Sequence, residues 1–120
     1  MKTSKIMSFA AFSAAAALFG ATAAEAHAKL VSSNPGANAT VAAPKQLVLK
    51  FSEKLQPKFS GADVAMPGMV TPAKVSFAKD GKTMIVQPTA ALMAGAYTVK
   101  WHAVTADTHR MQGTYSFTVR

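Results

Sequence analysis

The sequence predicts an all-β domain, a seven-stranded Greek-key β-barrel or sandwich of immunoglobulin-like (cupredoxin-like) kind. Three observations carry that expectation. Short runs alternate apolar and polar residues, Pro, Gly and Asn clusters separate the runs, and no stretch after residue 26 repeats its apolar residues with a helical period. Seven such strands at this spacing fit two packed sheets or a closed barrel.

Taken in order, the first strand is expected at 28–33, ended by Asn34-Pro35-Gly36. Lys45 to Phe51 is the first strong one, with Leu47, Leu49 and Phe51 on one face. Weaker strands are expected at 60–66 and 73–78, set apart by Pro67-Gly68. Thr83 to Gln87 is a short apolar run between Asp80-Gly81 and Pro88. Gly95 to Val104 puts Tyr97, Val99, Trp101 and Ala103 on one side, and Gly113 to Val119 does the same with Tyr115, Phe117 and Val119. Those aromatics read as core.

The first 26 residues read as a secretory signal and 27–120 as the working domain. Lys2 and Lys5 precede the uncharged run 6–19, and Ala24-Glu25-Ala26 is a small-x-small cleavage pattern. The run is shorter than the ~20 apolar residues that a membrane span needs. No membrane insertion is expected once the signal is removed. Cleavage after Ala26 makes His27 the first residue, with a free α-amine beside its imidazole.

The domain 27–120 then keeps eleven basic and four acidic residues, a net charge of +7. Its lysines are scattered, with no interleaved aromatic platform, so a solvated basic surface is expected and nucleic acid is not. There is no cysteine, which removes disulfides, thiol nucleophiles and thiolate metal sites. Apolar burial must supply the stability.

Three histidines exist: His27, His102 and His109. Asp107 and His109 stand at i and i+2, which in an extended segment puts both side chains on one side. With His27 they offer an amine, two imidazoles and a carboxylate. A nitrogen-rich set without sulfur suits Cu(II), and Ni(II) or Zn(II) less tightly. From residue types alone, a surface Asp-x-His and an unengaged terminal histidine remain the simpler account, because the pieces lie far apart in the chain. Met66 and Met69 flank a Pro-Gly turn, and soft thioethers select Cu(I), yet filling core gaps is methionine's commoner use. No G-x-S-x-G elbow, converging acid pair or phosphate loop is present.

The run His27-Ala-Lys-Leu-Val-Ser-Ser-Asn-Pro resembles the mature start of the CopC/PcoC family of periplasmic copper-resistance proteins. So do Leu49-Lys-Phe-Ser-Glu53, Phe59-Ser-Gly-Ala62, Met66-Pro-Gly-Met69, Ala94-Gly-Ala-Tyr97 and Trp101-His-Ala-Val-Thr-Ala-Asp107-Thr-His109. The resemblance spans the whole domain in order. It implies Cu(II) bound by His27, Asp107 and His109, with Glu53 as an outer or axial group. The family's Cu(I) loop is abbreviated here, since no histidine accompanies Met66 and Met69, so Cu(I) is expected weakly or not at all. His102 has no ligand role in the resemblance.

The function implied is a non-enzymatic periplasmic carrier or buffer of Cu(II) for copper homeostasis and resistance. A monomer is expected, handing copper to an inner-membrane transport partner. The alternative is a copper-dependent oxidative enzyme with a monooxygenase-like histidine brace. Such an enzyme needs a flat face of exposed aromatics, whereas most of the domain's seven aromatics are expected in the core.

Overall fold

The computed structural model describes residues 29–120, so the expected signal peptide and His27 lie outside the described residues. Nine strands form two sheets: β1 (Leu30–Asn34), β2 (Thr40–Val41), β3 (Leu47–Phe51), β4 (Gly61–Met66), β5 (Met69–Thr71), β6 (Ala73–Phe77), β7 (Thr83–Pro88), β8 (Gly95–Val104) and β9 (Arg110–Val119). One sheet has the order β1-β3-β7-β6 and the other β2-β9-β8-β4-β5. All seven expected strands are present. The two additions are short: β2 has two residues and runs parallel to the end of β9, and β5 folds back on β4. Pieces of two or three residues carry too little alternation to be read as strands.

The core lies between the sheets and follows the alternation directly. Leu47, Leu49 and Phe51 of β3 and Met84 and Val86 of β7 face Tyr97, Val99, Trp101, Tyr115 and Phe117 of β8 and β9, and Val64 of β4 lies beside Val99 in the same sheet. Tyr97 and Phe117 stack with centroids 5.4 Å apart, and Trp101 meets Phe51 edge-on at 5.1 Å. Gly113 lies opposite Trp101 in register, and a Cβ there would come within 2.5 Å of Trp101 Cζ2. The glycine makes room for the indole.

At the turn between β6 and β7, Asp80 accepts the backbone N–H groups of Lys82 and Thr83 and the Thr83 hydroxyl. Those bonds lower its carboxyl pKa below the ordinary 3.8, the Lys82 amide first. Gly81 completes the turn at φ +72°.

The long antiparallel pair β8–β9 is the scaffold that positions the candidate site residues. Ten residues of each are in register, from Gly95 opposite Val119 to Val104 opposite Arg110. The loop 105–109 closes it at one end. The segment before Gly95 lies at the other.

Candidate metal centre

Asp107 and His109 sit in the loop between β8 and β9, and the chain does not pass through them as an extended strand. Thr105 ends the ladder, donating its N–H to the His109 carbonyl at 2.9 Å and accepting the Thr108 N–H at 2.9 Å. Thr108 then takes φ +72°, a left-handed conformation uncommon for a β-branched residue. The i, i+2 pair therefore meets through a turn and not through strand alternation, which corrects the geometric reason for expecting it. The meeting itself is real: Asp107 Oδ2 lies 3.1 Å from His109 Nδ1.

Thr105 organises this turn from beneath. It is 1% exposed, its hydroxyl donates to Asp107 Oδ1, and the same oxygen accepts the His109 N–H at 3.1 Å. Its carbonyl accepts the Gln56 side-chain amide at 2.8 Å. The hydroxyl of Thr105, followed by His109, lowers the Asp107 pKa below 3.8, so the carboxylate stays ionised. Both side chains of the pair remain open, Asp107 at 61% and His109 at 55% exposure.

The neighbouring wall is the segment after β3. Ala106 donates its N–H to the Lys54 carbonyl at 3.0 Å, and Leu55 bridges Thr105. Glu53 stands half-buried in that segment. Among the described residues no group of three or more His, Asp or Glu side chains converges, so Asp107 and His109 stand as a pair and Glu53 is not joined to it. The first described residue lies along the same wall. Lys29 donates its N–H to Ser52 Oγ at 2.9 Å, and its carbonyl accepts the Ser52 N–H at 3.0 Å.

At the opposite end of β8, Met66 and Met69 pair across the β4–β5 hairpin, with Gly68 at φ +75° in the turn. Met93 joins them: all three line one cavity of about 240 Å³ with Val70, Leu92 and Tyr97. Met69 and Met93 are both more than half exposed. Nothing in the residue order marks that third methionine, which reaches the hairpin only because β8 pairs with β4. Thr105 also escapes a reading of the sequence, although a threonine two residues before an aspartate is a signal for a local side-chain turn.

The comparisons agree with this architecture. The chain belongs to the CopC domain family, whose model matches residues 30–120. It is 44% identical over 113 residues to "Copper resistance protein C" of Xanthomonas campestris pv. juglandis, covering 88% of this chain and 89% of that one. A protein of the same name in Escherichia coli is 45% identical over 104 residues, covering 79% and 82%. Among solved structures, the Escherichia coli PcoC crystal structure, described as a methionine-rich copper resistance protein, superposes with a TM-score of 0.74 at 46% identity. It covers 79% of this chain and 100% of PcoC. CopC from Methylosinus trichosporium OB3b superposes at 0.72 with 29% identity, covering 78% and 93%.

Proposed function

We propose that this protein is a periplasmic, non-enzymatic Cu(II) carrier or buffer serving copper resistance and homeostasis. Its ligands are the amine and imidazole of His27 with Asp107 and His109. The observation that carries the proposal is the pairing of Lys29 with Ser52, on the segment whose Lys54 carbonyl holds Ala106. Lys29 lies two residues after His27, a reach of at most about 7 Å. A chain cut after Ala26 would therefore begin no more than about 7 Å from Lys29, which pairs with the wall beside the Asp107–His109 turn.

The chemistry of the pair fits a metal ligand set. An oxygen and a nitrogen 3.1 Å apart have the separation of adjacent ligands on one ion, given metal–ligand bonds of about 2.0–2.2 Å. Asp107 is already ionised, so it binds a cation without first releasing a proton. The hydroxyl of Thr105 holds it in place, as partners behind a ligand commonly do. Glu53, half-buried in the segment after β3, is the outer or axial group of this reading. Tyr97, Trp101, Tyr115 and Phe117 are buried and Phe59 alone among the described aromatics is strongly exposed, which favours a carrier over an enzyme binding a polysaccharide on an aromatic face.

Copper is the cargo here. Cu(II) titration of the exported protein is expected to show one tight site. Adding one residue before His27 is expected to weaken it by orders of magnitude, because the amine becomes an amide. Equal affinity in the extended protein would remove the amine from the site.

Met66 and Met69, joined by Met93, form a weaker soft site for Cu(I), supported by the single cavity that all three line. The expected result of Met93→Ile is a several-fold loss of Cu(I) affinity by competition with a chelator. An unchanged value would leave the three methionines as packing alone.

A further inference from the structure

A groove opens beside the Asp107–His109 turn, on the outer face of the five-stranded sheet. It has a volume of about 310 Å³ and is lined by Phe59, His102, Val104, Arg110, Met111 and Gln112. Each part is placed by the fold. Pro57 starts the short 3₁₀ turn Pro57–Phe59, which leaves Phe59 55% exposed where an aromatic is ordinarily covered. The His102 ring lies across β4 over Gly61, where a Cβ would come within 3.1 Å of the ring's Cε1. Arg110 pairs with Val104 at the ladder's last rung and directly follows His109.

The groove combines an apolar floor with donors and positive charge. Arg110 and His102 line it, Lys58 sits in the 3₁₀ turn beside Phe59, and no carboxylate lines it. Among the described residues no carboxylate pairs with Arg110. Exposed aromatics and arginines together are the residues enriched where proteins bind proteins. A second copy of this chain is a poor occupant, since it brings the same excess of positive charge.

We infer that this groove is the docking surface for an acidic segment of a partner protein, with an apolar side chain on Phe59 and carboxylates on Arg110 and Lys58. Arg110 directly follows His109, so a segment held by Arg110 lies close to the metal centre. The partner would thereby sit at the mouth of the metal centre. The inference goes beyond copper binding and is tested without metal, so its failure and that of the copper site are read separately.

The test uses copper-free exported protein and a blocked peptide alternating glutamate and leucine, followed by amide chemical shifts. Shifts are expected in residues 57–61, 102–104 and 110–112. Arg110→Glu and Phe59→Ser should each weaken binding roughly tenfold. Lys74→Glu, an equal charge change at an exposed position of β6 in the other sheet, should leave it within about twofold. Equal losses in Lys74→Glu and Arg110→Glu would reduce the effect to general attraction and overturn the inference. Undiminished binding of a glutamine–leucine peptide would do so too, as would shifts confined elsewhere. Self-association lost in Phe59→Ser would assign the groove to a second copy instead.

Discussion

A single buried hydroxyl fixes both halves of the candidate metal centre. Thr105 Oγ1 donates to the Asp107 carboxylate and accepts the His109 N–H, while neither of those side chains is itself buried. Replacing it with the near-isosteric valine leaves the carboxylate and that amide without their partner. Thr105→Val is expected to lose about 1–3 kcal/mol of stability by urea unfolding. It should also weaken Cu(II) binding and alter the copper paramagnetic resonance spectrum. Thr105→Ser keeps the oxygen and should restore the spectrum, an outcome that a purely packing role for Thr105 does not give. At this scale the sequence is half legible. Asp-x-His is visible as a pattern, but the left-handed Thr108 that turns the two residues toward each other has no signature in a β-branched side chain. His27, the ligand proposed to complete the pair, is legible only through the cleavage pattern ahead of it and the family resemblance.

Among the elements, legibility follows length. Strands β3, β8 and β9 bury every second residue over five to ten positions, and their alternation places them in advance. On β9 the pattern fades before Tyr115 because Gly113 yields its place to the Trp101 ring. Gly113→Ala therefore forces the indole out of position. About 1–3 kcal/mol of destabilisation is expected, with a changed near-ultraviolet spectrum from the only tryptophan. Acid sensitivity belongs to the turns. Asp80 and Asp107 both have folded pKa values below 3.8, so each stabilises the fold fully above that value. That stability is lost as pH falls through the lowered one. The melting temperature should fall as pH drops below about 4, and Asp80→Asn should flatten part of the fall. A slope unchanged in Asp80→Asn would locate the acid response elsewhere.

Across the whole molecule, the two sheets meet through aromatic and aliphatic side chains with no disulfide to assist them. Phe117, 1% exposed and stacked on Tyr97, is the test of that arrangement: Phe117→Ala is expected to cost about 3–5 kcal/mol. Two-sheet packing is legible because it comes from strand number and turn spacing. The convergence of Met93 on the β4–β5 hairpin is not, because it depends on which strands become neighbours.

Strand β8 has its first residue, Gly95, beside the methionine cavity and its last, Val104, beside the Asp107–His109 turn. Ten residues at about 3.3 Å each make it a spacer of roughly 30 Å whose inner face lies in the packed core. No ion can travel that distance inside the protein. A copper ion that changed oxidation state at one end would have to leave into solvent, or into a second protein, before the other end could receive it. With both proposed sites loaded, the fold would be a double-ended tether whose two loads answer to different visitors.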